Sequence, residues 1–113
     1  MPKMRPRSCT LAAAVSFAAL LTSASMASAA PRTHVVAIEK MKFSAVPQNL
    51  RAGDTIVWIN RDILRHTATG RDGSFNIDLA AGASGRMVIG KAGLIAFYCK
   101  FHPGMRGMLR VAR

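Results

Sequence analysis

Two patterns divide this chain. Leu11 to Leu21 is an unbroken uncharged run, LAAAVSFAALL, whereas from His34 onward apolar and polar positions alternate in short segments. The alternation is visible in His34–Lys40 and cleaner in Thr55–Asn60, where every second side chain faces one side of a pleated strand. Further strands are expected at Pro47–Arg51, His66–Thr69, Phe75–Leu79, Gly85–Ile89, Leu94–Cys99 and Gly107–Ala112. Between them lie the turn signals Ala52-Gly53-Asp54, Arg71-Asp72-Gly73, Ala81-Gly82-Ala83 and Lys91-Ala92-Gly93. About eight short strands at this spacing predict an all-β sandwich or barrel in a single domain. No segment after the first 30 residues holds a helical period for three turns, and neither an internal repeat nor a low-complexity linker interrupts it.

The opening stretch reads differently. Lys3, Arg5 and Arg7 carry positive charge with no acid among residues 1–8, the apolar run follows, and small residues end in Ala27-Ser28-Ala29. A positive head, a short apolar core and an A-x-A end make residues 1–29 a secretory signal peptide. Pro31 disfavours a cut one residue later, so cleavage is expected after Ala29. The apolar run is about half the ~20 residues that a membrane-spanning helix needs, so no permanent anchor is expected. Cys9 precedes the run and cannot become a lipid-modified first residue of the mature chain. The expected mature domain is 30–113.

Charge and cysteine usage sharpen this picture. The 113 residues contain 16 Lys+Arg against 5 Asp+Glu, a net charge of +11, and loss of the three leader cations leaves +8. That length excludes a multidomain enzyme. Export and the scarcity of aromatic residues disfavour a nucleic-acid role, so the positive charge is expected to meet an acidic protein surface. Arg61, Arg65, Arg71, Lys100 and Arg106 are the expected contributors, the alternative being a generally solvated cationic face. Small exported domains commonly add disulfides or a metal. Only Cys99 survives cleavage, which excludes an internal disulfide and makes a metal the leading candidate.

The chemistry concentrates in Phe97-Tyr98-Cys99-Lys100-Phe101-His102-Pro103-Gly104-Met105, which contains Cys-x2-His-x2-Met. A strand ending at Cys99 holds its sulfur at one end of a sandwich, and a loop bent by Pro103-Gly104 returns an imidazole and a thioether to the same place. Such a soft set favours copper, and two His with one Cys and a weak axial Met is the blue-copper arrangement. Of the two remaining mature histidines, His66 follows the Thr55–Asn60 strand and a short loop, which suits it to join Cys99. His34 is expected to be an ordinary exposed residue. Taken singly, Cys99 as an inert buried thiol, His102 as a surface residue and Met105 as a core filler are the simpler explanations. Their joint spacing around the one cysteine of an exported domain favours the metal, with zinc the main competitor.

These residues resemble the cupredoxins, the small type 1 copper proteins, closest to the amicyanin, pseudoazurin and plastocyanin group. The resemblance runs through His34 to Phe43 (HVVAIEKMKF), Ala52 to Asp62 (AGDTIVWINRD), His66, and Phe97 to Leu109 (FYCKFHPGMRGML). It implies a Greek-key β-sandwich with one type 1 copper held by His66, Cys99 and His102, and with Met105 axial. It also implies one-electron transfer between periplasmic redox proteins, a cytochrome c or a periplasmic oxidoreductase among the partners, by a monomer that is not an enzyme. Many cupredoxins carry Asn after the first histidine ligand; here Thr67 stands there, with a backbone N–H able to reach the sulfur and a shorter side-chain tie. His102 is expected to reach the surface within an apolar patch, and Met41 either extends that patch or packs in the core. The alternative function is periplasmic copper delivery or sequestration, for which Met41, Met87, Met105 and Met108 offer thioethers.

Overall fold

The computed structural model describes residues 2–6, 8, 10, 12–23 and 29–113. Cys9 and most of the expected cleavage segment, Ala27 and Ser28, lie outside the described residues. The described part of 2–23 forms no helix or strand, and among the described residues no helix is long and apolar enough to cross a membrane.

Among the described residues nine strands follow: β1 (Thr33–Glu39), β2 (Lys42–Phe43), β3 (Leu50–Arg51), β4 (Thr55–Asn60), β5 (His66–Gly70), β6 (Asn76–Leu79), β7 (Ser84–Val88), β8 (Gly93–Tyr98) and β9 (Arg106–Ala112). They form two sheets, β2-β1-β4-β7 and β3-β9-β8-β5-β6, in which β1/β4 and β3/β9 are parallel and the other pairs antiparallel. This is the expected all-β sandwich. The β4 bounds agree with those read from the pattern. The expected strand at Pro47–Arg51 shrinks to its last two residues, and β2 is additional.

β2 escaped the sequence reading because its turn contains no glycine. Glu39 pairs with Lys42 across Lys40 and Met41, whose φ angles of 50° and 62° are both left-handed. That is the two-residue hairpin turn whose twist suits antiparallel strands, and it disfavours side chains with a Cβ. Where glycine was expected to serve, it does: Gly73 and Gly82 have φ of 78° and 76°.

The core lies between the sheets. Val36, Ile38, Ile56 and Trp58 from the first sheet meet Leu50, Ala68, Leu79, Phe97, Leu109 and Val111 from the second. Trp58 is fully buried, with the rings of Phe43, Phe75 and Phe97 at 6.0, 6.0 and 5.1 Å. Phe97 needs Gly107 opposite it on β9, because a Cβ there would collide with the phenyl ring. Cys99 and Met105 belong to this same core, so the candidate ligands grow out of packed sheet rather than a free loop.

His34 departs from expectation. Its side chain is only 9% exposed, and Nε2 lies 2.8 Å from Oδ2 of Asp54. Asp54 also accepts hydrogen bonds from the backbone N–H of Arg32 and Arg51, at 2.9 and 3.1 Å. The carboxylate thus ties the start of β1 to the β3–β4 turn, and His34 is a structural residue at the end remote from Cys99.

Candidate metal centre

His66, Cys99 and His102 come together at one end of the sandwich, where β4 leads into β5 and β8 into β9. One ring nitrogen from each histidine and the Cys99 sulfur all lie within 4.8 Å of one another. Sγ is 3.8 Å from Nδ1 of His66 and 3.9 Å from Nδ1 of His102, and the two imidazole rings are 5.1 Å apart. His66 and Cys99 are fully buried; His102 is half-buried. The fourth expected residue, Met105, is 6% exposed and packs in the core beside Cys99. Two backbone hydrogen bonds fold residues 99–105 into a closed loop: Cys99 N–H donates to the Met105 carbonyl at 3.0 Å, and Met105 N–H to the His102 carbonyl at 2.8 Å.

The loop before His66 is shaped by Asn60. This buried side chain lies 2.7, 3.0 and 3.2 Å from the carbonyls of Leu64, Leu79 and Ala80 through Nδ2, and its Oδ1 accepts from the Asp62 N–H at 2.9 Å. Residues 61–65 curl accordingly and bring the Asp62 carboxylate to 2.8 Å from His66 Nε2. An ionised carboxylate only accepts, so Nε2 carries the proton and Nδ1 turns its lone pair toward Cys99. Asp62 also accepts from the N–H groups of Met41 and Lys40, at 3.0 and 3.2 Å. The Met41 amide, then the His66 ring, hold its carboxyl below the ordinary value of 3.8. Asp62 was not singled out from sequence, although an acid four residues before a candidate ligand histidine was a usable signal.

Thr67 makes both ties expected of it. Its N–H points at Cys99 Sγ over 3.3 Å, and its Oγ1 accepts the Lys100 N–H at 2.9 Å. The hydroxyl therefore reaches the loop that carries His102.

The surface at this end is mixed. Phe101 is 54% exposed and Met41 36%, so Met41 does not take the core-packing role. Ile63 and Leu64 add exposed apolar area on the β4–β5 loop. Arg61 pairs with Glu39 and Arg65 with Asp78 at 3.6 and 3.5 Å, whereas Lys40, Lys100 and Arg106 are exposed with no ion pair among the described residues. Arg71 differs from these in having an aromatic partner next to Cys99 in the chain. It follows the end of β5 opposite His66, and its guanidinium stacks over Tyr98 at 4.4 Å.

A thiol and two imidazoles preassembled at this spacing fit a soft, nitrogen-and-sulfur-liking metal such as copper. No protein-family model matches the chain. Among curated proteins it is similar to amicyanin of Paracoccus versutus, 30% identical over 83 residues, and to amicyanin of Paracoccus denitrificans, 29% identical over 92. Each match covers 68% of this chain, which spans 63% of the length of either relative. Among solved structures, the Paracoccus versutus amicyanin crystal structure has a TM-score of 0.60 at 29% identity, covering 71% of this chain and 81% of that one. The reduced state of an amicyanin variant has a TM-score of 0.61 at 30% identity, covering 71% and 82%, and a Cu(I) form of another variant has 0.61 at 28% with the same coverage. With the sandwich, the donor group and these relatives in agreement, the chain belongs to the cupredoxin family, on its amicyanin-like side.

Proposed function

We propose that this protein is a periplasmic one-electron carrier that holds a single copper ion through His66, Cys99 and His102, with Met105 as a weak fourth ligand. The observation that carries this reading is the approach of one thiol and two imidazole nitrogens to within 4.8 Å of one another in packed surroundings. Copper in such a set supplies a centre that accepts and returns one electron. The chain's own residues do the rest. Asp62 fixes the proton of His66 on Nε2, Thr67 directs an N–H at the Cys99 sulfur, and the closed 99–105 loop holds His102 against them. Four protein donors leave no coordination place for a substrate, which favours a carrier over an enzyme.

His102 is half-buried beside exposed Phe101, so a partner can approach its ring closely across an apolar contact. Lys40, Lys100 and Arg106 give this end a positive rim suited to an acidic partner, such as a cytochrome c or a periplasmic oxidoreductase with an anionic docking face. Residues 1–29 act as the export signal, and the mature domain, 30–113, works as a soluble monomer. Relatives of the amicyanin type solved with Cu(I) support the choice of metal.

The deciding experiment is a visible spectrum of the protein loaded with Cu(II), before and after ascorbate. An intense blue thiolate-to-copper band that bleaches and returns on reoxidation is expected. A colourless protein would favour zinc, and copper lost on reduction would favour delivery or sequestration.

A further inference from the structure

A chain of buried hydroxyls runs away from the candidate centre on the face of β5 opposite Ala68. Thr67 and Thr69, two residues apart on one strand, point the same way. Their Oγ1 atoms are 2.9 Å apart, and Thr69 Oγ1 donates to Oδ1 of Asn76 over 2.8 Å. Asn76 is the cross-strand partner of Thr69 on β6. At the other end the Lys100 N–H donates to Thr67 Oγ1. Thr67 and Thr69 are 3% and 6% exposed, so water does not easily substitute for either hydroxyl.

Proton counting gives the chain a direction. A hydroxyl has one proton to donate. Thr69 spends its proton on Asn76, so the Thr67–Thr69 bond must use the proton of Thr67. Thr67 then meets the Lys100 N–H with a lone pair. Every donor points from the ligand loop toward β6, and none of the hydroxyl protons is directed at the Cys99 sulfur. Reversing the Asn76 amide would leave the Thr67 proton without a partner inside the chain, so this direction is the one that satisfies all four groups.

We propose that Thr69 and Asn76 are positioning residues of the metal centre, fixing the Thr67 hydroxyl so that it anchors the Lys100 peptide and with it the start of the His102 loop. The proposal rests on the copper reading above and adds residues outside the ligand shell. Thr67 lies between the two sides of the centre: its N–H addresses the sulfur, and its Oγ1 addresses the peptide following Cys99. A threonine that is free to rotate serves the second task poorly. The relay removes that freedom. Partners beyond the ligands commonly govern metal retention in this way.

The test compares the full-length wild type with Thr69→Val, Thr69→Ser and Asn76→Ala. In the copper-free proteins, hydrogen exchange at the Lys100 amide is expected to accelerate by about two- to tenfold in Thr69→Val, the loss of one hydrogen bond's worth of protection. In the copper-loaded proteins, Thr69→Val is expected to release Cu(I) to a competing chelator about tenfold faster and to shift the thiolate-to-copper band. Thr69→Ser keeps the hydroxyl and should restore both properties. Asn76 is exposed, so Asn76→Ala decides the matter if Thr69→Val does not fold, with changes in the same direction. Wild-type Lys100 exchange and copper retention in Thr69→Val, or a Thr69→Ser variant no better than Thr69→Val, would overturn the relay. A wild type that takes up no blue copper overturns the copper reading instead, and the Lys100 exchange result still judges the relay.

Discussion

The Asp62 carboxylate lies 2.8 Å from Nε2 of His66 and reaches across to the β1–β2 turn, where it accepts the Met41 and Lys40 N–H groups. Left-handed backbone costs a non-glycine residue about 1–2 kcal/mol. Lys40 and Met41 both adopt it, and the anion rewards that geometry while it orients the histidine. Asp62→Asn should therefore weaken copper binding by about 10–100-fold, the range for partners of metal-ligating histidines. Loss of a negative charge beside the site disfavours Cu(II) more than Cu(I), so the potential should also rise. Chelator competition and voltammetry measure the two; wild-type values in both would remove Asp62 from any role at the centre.

The donor group itself makes sharper demands. Cys99→Ala should abolish the blue band while the sandwich still folds, visible as a retained β-sheet circular dichroism spectrum. Met105→Gln should keep copper and lower the potential, because an oxygen donor favours Cu(II) over a thioether. A blue Cys99→Ala protein, or an unchanged potential in Met105→Gln, would contradict the assignment of that residue.

How much of this was legible depends on distance along the chain. Cys99 and His102 share one loop, so their spacing announced their approach to each other. His66 was found because a strand of clear alternation, Thr55–Asn60, delivers it. Asp62 acts through a loop curled by Asn60, whose bonds to Leu79 and Ala80 exist only once β6 has docked. β2 was missed because its turn is stabilised by a carboxylate more than twenty residues away rather than by glycine. The Thr67–Thr69–Asn76 relay depends on cross-strand register, and β5 is buried on both faces despite its polar sequence, His-Thr-Ala-Thr-Gly. Alternation describes strands with one wet face, so it says little about such a strand.

Asn60 offers a test of that loop by stability. Removing its amide leaves buried carbonyls short of a donor, at about 1–3 kcal/mol for an unsatisfied buried group. Asn60→Ala should destabilise the apo protein by roughly 2–3 kcal/mol and also loosen copper, since the 61–65 loop presents both Asp62 and His66. Chemical denaturation gives the first quantity and chelator competition the second. A destabilised variant with wild-type copper retention would show that the loop holds its shape without Asn60.

Acid should unfold the apo protein along a defined path. The backbone N–H of Arg32, followed by the His34 ring, holds Asp54 below 3.8; Asp62 is lowered by Met41 and His66. Asp72 is brought down to about 2 by the hydroxyl and amide of Ser74, with Lys91 assisting. All three carboxyls are more acidic in the fold than in the unfolded chain. Between the two values the unfolded chain binds more protons, so stability falls as pH falls. Their contribution is complete above the ordinary aspartate range and is lost progressively between about pH 4 and pH 2. Denaturation midpoints across that window should decline, and Asp54→Asn should flatten the decline. A midpoint constant from pH 5 to pH 2 would contradict the role of these anions.

The positive rim can be tested without knowing the natural partner. Lys100 and Arg106 are exposed, and the bond from Lys100 to Thr67 uses its backbone N–H, so reversing the side-chain charge leaves that anchor in place. Surface charges of this kind act on the encounter rate and are screened within about 10 Å at 0.1 M salt. Oxidation of the Cu(I) protein by the anion ferricyanide should therefore be fastest at low ionic strength and slow as salt rises. A cationic cobalt complex should show the opposite trend. Lys100→Glu together with Arg106→Glu should weaken or reverse both salt dependences while leaving the potential near that of the wild type. Salt dependences that survive the double reversal would place electron entry away from the His102 end.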